Sequence, residues 1–356
     1  MPTHDPMRIS SRHLATALIL PVLLSAASCK KTREEKREEA LANEAAAAAA
    51  SPETANQHAF RNDARQLYNN RDFAGLEALA KKIRESKQRF VDGQWAIEDF
   101  YSSQDCRKDE PESMWQLHDQ IHKDWLKKYP DSITARVAHA NFLITYAWHA
   151  RSDRPGSQVT QDGWKLFTER LAEARTILDQ SRQLKPVCPM MYSSYQTIAL
   201  GQGWPRKEYD ALFKEAKALE PGFYPYDCQR AKFLLPRWHG EEGEWEAVAE
   251  KEIEAGGKTG PGIYARVVNE QAGYYRNNIF EETNASWRKT RAGFDDLLIA
   301  WPDSKQLLNS YCRLACFAGD APQAKKLFER IGKDVVPTSW RKGEFEKAKK
   351  WAMSQK

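Results

Sequence analysis

Two histidines one helical turn apart, in His118-Asp119-Gln120-Ile121-His122, are the side chains of this sequence best spaced for chemistry. On a helix, positions i and i+4 share a face. Two imidazoles there can ligate one zinc ion, with a carboxylate in the second position as general base. Asp119 holds that position, one methylene shorter than the usual Glu, and no third ligand follows at a familiar spacing. The same histidines sit beside the Leu117, Ile121 and Trp125 stripe, where half-buried histidines belong to a core. A metal-assisted hydrolase acting through His118 and His122 is one reading and a packed core is the other. No catalytic residue and no cofactor is assigned.

A second group is made of tryptophan and arginine: Trp148, Arg151, Trp164, Arg237 and Trp238. Exposed Trp and Arg dominate recognition surfaces, so these five are the candidate lining of a binding groove, with the polar loop 151–157 as its rim. The competing reading has the indoles filling gaps between stacked helices and the guanidinium groups capping carbonyls. A third use of exposed Trp is the binding of cell-wall glycan.

The chain has six cysteines. Cys312 and Cys316 are one turn apart, with Cβ atoms about 5–6 Å from each other, too far for a disulfide that needs about 3.8 Å. Cys188 and Cys228 each lie near the start of a helix in consecutive hairpins, and an oxidising compartment could join them. Cys29 follows Ser25-Ala26-Ala27-Ser28, itself preceded by Arg8, Arg12 and an apolar run at 14–24. That order is a secretory signal, too short to span a bilayer, and small residues before a Cys resemble a bacterial lipobox. Residues 1–28 are therefore read as a signal peptide and Cys29 as the lipidated mature N-terminus, with ordinary cleavage and secretion as the alternative. The charged and Ala-rich stretch 29–56 reads as a flexible tether. The expected address is the bacterial envelope, on the periplasmic side, with membrane contact through the lipid anchor alone.

The elements that must carry these groups are helices. In the stretch 301–332, Leu307, Leu308, Tyr311, Leu314 and Ala315 form one apolar stripe, and Ala324, Leu327, Phe328 and Ile331 form a second. Between them Gly319-Asp320 makes a tight turn, and Gly332 closes the pair. A turn followed by a small residue at the crossing point has the spacing of a tetratricopeptide hairpin. Such a hairpin cannot bury both its apolar faces alone and implies stacked neighbours. The same pattern recurs along 57–356, from a first hairpin turning at Asn69-Asn70-Arg71-Asp72 to a closing helix at 340–351. Prolines 186 and 221 lie near one tetratricopeptide period apart, and the spacing is looser elsewhere. No stretch alternates as a strand. The fold class is all-α, a degenerate tetratricopeptide-like superhelix of helical hairpins.

Composition agrees: 41% of the 356 residues are hydrophobic and 29% charged, as in ordinary soluble protein. Lys and Arg number 54 against 49 acidic residues, interleaved, so no basic face is left for nucleic acid.

Six stretches carry a family resemblance. They are Lys87-Gln88-Arg89-Phe90-Val91-Asp92-Gly93-Gln94-Trp95, Pro130-Asp131-Ser132, Ala147-Trp148-His149-Ala150-Arg151, Gly163-Trp164-Lys165-Leu166-Phe167, Leu234-Leu235-Pro236-Arg237-Trp238-His239-Gly240 and Gly319-Asp320. In order, over about 73–351, they resemble the bacterial domain-of-unknown-function family four-zero-three-four. That resemblance implies a tetratricopeptide-like helical fold and supplies no activity and no catalytic residue. The expected role is an interaction scaffold or adaptor for another envelope protein, because stacked hairpins make extended concave surfaces.

Overall fold

The computed structural model describes residues 52–276 and 278–355. Sixteen α-helices and no strand occur among them, so the chain is all-α. The one extended pairing among these residues is an isolated antiparallel bridge between Arg89 and Trp95. No described helix is long and apolar enough to cross a membrane.

The opening helices are α1 (Pro52–Asn69), α2 (Phe73–Ser86) and α3 (Ala96–Ser102). They are followed by α4 (Glu112–Lys128), α5 (Ile133–Arg151) and α6 (Gln161–Ser181). Next come α7 (Pro189–Gln202), α8 (Arg206–Leu219), α9 (Pro225–Phe233), α10 (Glu244–Ala255) and α11 (Gly260–Gln271). The short α12 (Ile279–Glu282) leads to α13 (Trp287–Ala300), α14 (Lys305–Phe317), α15 (Ala321–Ile331) and α16 (Glu344–Ser354).

Local capping sets many of these starts. Side-chain oxygens of Asp72, Ser132, Thr160, Ser286, Ser304 and Asp320 each accept a backbone N–H in the first turn of the helix that follows. The turn between α1 and α2 differs from its sequence reading. The left-handed residue is Arg71, at φ +53°, rather than either asparagine. Asp72 caps α2 from the next position, so the turn tightens one residue later. The last helix starts at Glu344 rather than 340, because a 3-10 turn at Pro337–Ser339 and Gly343 at φ +73° intervene.

Alternate helices α5, α7, α9 and α11 pack side by side in one row, with α6 packed chiefly on α5, α8 on α7 and α10 on α11. Helix α5 sits at the middle of this packing and buries twelve of its nineteen residues, which is why its sequence is apolar on nearly every side. Two later helices, α11 and α13, approach closely. A Cβ on Gly293 would stand 2.0 Å from the Pro261 carbonyl oxygen, so only glycine fits there. In the α14–α15 hairpin, Ala324 is fully buried with its carbonyl 3.8 Å from Cys312 Sγ, the close crossing its small size allows.

The chain start folds back onto much later elements. Loop 87–95 lies against the α8–α9 turn and α11: Lys87 pairs with Glu220 at 2.5 Å, Trp95 packs on Phe223, and Arg266 donates to the Asp92 carbonyl. Glu53 reaches α14, where its carboxylate accepts from Ser304 Oγ at 2.8 Å and Lys305 N at 2.7 Å. Helix α1 therefore begins inside the stretch 29–56 that the sequence marks as tether. The contacts that order its first turn lie at the far end of the chain, where no local pattern announces them.

Candidate ligand cleft

Polar residues recur at helical spacing on the otherwise apolar helices of the central row. On α5 they are Asn141, Thr145 and Trp148; on α7 they are Ser193, Ser194 and Thr197. Each set shares a face, and the two faces meet a third from α3 that carries Glu98, Asp99 and Ser102. With Arg61 of α1 and Gln229 of α9 they enclose a cleft of about 470 Å3.

Asp99 is the most constrained member, 1% exposed. Its Oδ1 lies 2.5 Å from Arg61 Nη2, while its buried Oδ2 has no hydrogen-bond partner among the described residues. Asn141 accepts the Ser194 hydroxyl proton on Oδ1 and leaves its buried Nδ2 without a partner. Glu98 Oε2 is likewise buried and unpaired. Desolvated polar atoms of this kind are uncommon and costly. Here both acceptors and donors of that sort border one cleft.

Burial also changes the charge of the cleft. It pushes the Glu98 carboxyl up to about 8, with repulsion from Asp99 adding to the effect. Asp105 is pushed up to about 7 by burial, against a hydrogen bond from Thr145 and the charge of Arg65. Asp99 is raised by burial, with Arg61 pulling the other way. Near neutral pH Glu98 and Asp105 are therefore part protonated and able to donate as well as accept. Amides, hydroxyls, part-protonated acids and one indole make a surface suited to hydrogen-bonding an uncharged polar molecule.

The tryptophan and arginine residues singled out from sequence mostly come together. Trp148 packs edge-to-face on Phe167 and on Trp238, at centroid distances of 4.9 and 5.7 Å. Trp164 packs on Phe167 at 5.7 Å, and Arg151 lies over both Trp148 and Trp164. Arg151 also donates to the Ser152 and Arg154 carbonyls, so the rim loop is held by it. Arg237 is apart, over Tyr274. Of the five, Trp148 alone lines the cleft. Arg151, Trp164 and Trp238 gather in a corner beside it, where Trp164 is 40% exposed.

His118 and His122 do share one face of α4, and that face is turned into the core. His118 Nδ1 lies 3.1 Å from Tyr68 Oη and 3.3 Å from the Gln104 carbonyl. His122 is fully buried among Tyr68, His139 and Phe142, with both ring nitrogens unpartnered. Asp119 is engaged by Lys123 at 2.5 Å and by His139 at 3.1 Å. Among the described residues no group of three or more His, Cys, Asp or Glu is arranged around a metal position. Burial pushes the His118 imidazole down to about 4 and His122 well below its ordinary value.

The five described cysteines are free thiols, so Cys188 and Cys228 are not joined. Cys188 Sγ lies 3.4 Å from Tyr101 Oη, toward α3. Cys228 lies near Glu270 of α11 and Glu98, whose charges, behind burial itself, raise its thiol. Cys29, the signal segment and most of the tether lie outside the described residues.

Sequence reasoning passed over Asp99, Asn141 and Ser194. The Asn141, Thr145, Trp148 spacing on α5 was a usable signal, since a polar stripe on a buried helix needs a reason. Asp99 gives no such signal, because Arg61, its partner, is 38 positions away.

No family model, no curated protein and no solved structure matches the chain.

Proposed function

We propose that this chain is a binding protein of the bacterial envelope, tetratricopeptide-like in its stacking, that takes an uncharged polyhydroxylated ligand such as a glycan segment in the cleft beside Trp148. The observation that carries this reading is the set of desolvated, unpartnered donors and acceptors at Asp99, Glu98 and Asn141, all residues that line one cleft. A molecule rich in hydroxyl and amide groups satisfies both kinds at once, and the Trp148 indole offers an apolar surface to a sugar ring.

A cleft of this size favours a small molecule or one segment of a polymer over a broad protein interface. The scaffold role read from the sequence would place a protein partner on exposed members of the five groove candidates, such as Trp164 and Arg237. The address rests on the signal-like segment and Cys29, and kinship with family four-zero-three-four rests on its six motifs. Titration of the purified mature chain with chitotriose, an uncharged acetamido-sugar oligomer, tests the ligand class. Saturable binding that Trp148→Ala abolishes supports it, and binding unaffected by that change refutes the cleft as its seat.

A further inference from the structure

A second cavity, of about 200 Å3, lies between loop 87–95, α11 and the end of α13. It is chemically the opposite of the first. Its lining carries three cationic side chains, Arg89, Lys258 and Arg266, and a single carboxylate, the exposed Asp296. The Arg89 guanidinium is half-buried, rests over the Trp95 ring and makes no hydrogen bond or ion pair among the described residues. Glu220, the carboxylate whose charge acts most on Arg89, is paired to Lys87 at 2.5 Å. Glu98 acts on both arginines from the side of the first cleft. Arg266 is fixed by its bond to the Asp92 carbonyl and lies over Tyr224. Gly93 permits this arrangement, since at φ +77° a Cβ there would stand 2.5 Å from Trp301 Nε1 and 2.8 Å from Arg266 Nη2.

A planar guanidinium with five donors, partly removed from water, loses hydration that nothing in the protein replaces. A second guanidinium beside it adds repulsion, and together with burial this pulls the Arg89 group down to about 10. Such an arrangement costs stability unless an anion completes it. Fork-shaped guanidinium groups match the oxygen geometry of phosphate, and an ammonium adds charge without directional demand. Gly262 and Ile263, in the first turn of α11, also border the cavity and place the positive end of that helix toward it. Ile263, Leu297 and Trp301 supply an apolar wall beside the cations.

We propose that this cavity is a binding site for a phosphate group, held by Arg89, Arg266 and Lys258. The group arrives either as the free anion or on a small organic body that rests on the Ile263, Leu297 and Trp301 wall. This site shares no lining residue with the cleft beside Trp148, and neither reading depends on the other.

Calorimetric titration of the mature chain with inorganic phosphate, and in parallel with phenyl phosphate, tests it against sodium chloride of matched ionic strength. The expected result is saturable binding at millimolar or lower concentration, with a concentration-dependent rise in melting temperature. Arg89→Gln weakens it roughly tenfold or more and Lys258→Gln by a smaller factor, as loss of a charge-assisted contact requires. Without ligand, Arg89→Gln melts at or above the wild-type temperature, because the unpaired charge is gone. Lys258 is exposed, so its variant keeps the test valid if Arg89→Gln fails to fold. Phenyl phosphate binding more tightly than phosphate assigns an organophosphate, and equal affinity assigns the free anion; either supports the site. No heat beyond the chloride control, or affinity unchanged in both variants, overturns it.

Discussion

The two oxygens of the Asp99 carboxylate differ in their surroundings: Oδ1 takes Arg61 Nη2 at 2.5 Å, and Oδ2 is buried without a partner among the described residues. Arg61 is 44% exposed at its side chain and Asp99 2%, so the pair couples a solvated cation to a desolvated anion. Arg61 thus favours the charged form of a carboxylate that burial pushes toward the neutral one.

Removing that cation should make folding stability depend more on pH. The folded-state carboxyl of Asp99 is already raised by burial, and Arg61→Gln raises it further. A raised carboxyl gives stability that is complete below the unfolded value near 4 and lost as pH rises through the folded value. Arg61→Gln should therefore cost about 1 kcal/mol at pH 7.5, after allowance for the exposure of Arg61, and much less at pH 4.5. Urea denaturation at the two pH values measures the difference, and an equal cost at both would show that Arg61 does not act through Asp99.

The second prediction concerns chain closure. Glu53 caps α14 through Ser304 Oγ and the Lys305 and Gln306 amides. Glu53→Ala removes an N-terminal acceptor set and should destabilise by about 1–2 kcal/mol. Hydrogen exchange should quicken in the first turn of α14 and in α1, while α5 keeps its protection. Unchanged exchange at Lys305 and Gln306 would show that the two ends do not meet.

Those two contacts also mark the limit of what sequence reveals. The α13 boundaries, the Ser132 and Asp320 caps and the α14–α15 hairpin are legible because their causes lie within a few residues. Glu53 with Ser304, or Arg61 with Asp99, is invisible to local pattern, since each pair is made only once intervening helices have stacked. The site divides the same way. Trp148 stands out by residue type, whereas Asp99 becomes informative only when its unpaired oxygen and its burial are known.

Acid should act through the histidine core of α4. His118 is lowered to about 4 and His122 falls well below its ordinary value, both chiefly by burial. Their neutral forms give stability that is complete above about pH 6.5 and lost as pH falls toward 4, because the unfolded chain takes up protons first. His122→Leu is nearly volume-conserving and removes two unpartnered nitrogens. It should change stability at pH 7 by less than about 1.5 kcal/mol and shrink the loss between pH 6.5 and 4. Chelator treatment should leave the wild-type melting temperature unchanged. A drop on chelation would restore the metal reading of His118 and His122.

The cleft itself is tested most directly by calorimetric titration of the purified protein with chitotriose at pH 7, beside Asp99→Asn and Trp164→Ala. One-site binding with a Kd on the order of 0.1–1 mM is expected. Asp99→Asn should weaken it about tenfold, and Trp164→Ala, which packs outside the cleft, by less than about twofold. No heat beyond dilution at several millimolar sugar, or a loss on Trp164→Ala that equals the loss on Asp99→Asn, would contradict the cleft as the seat of function.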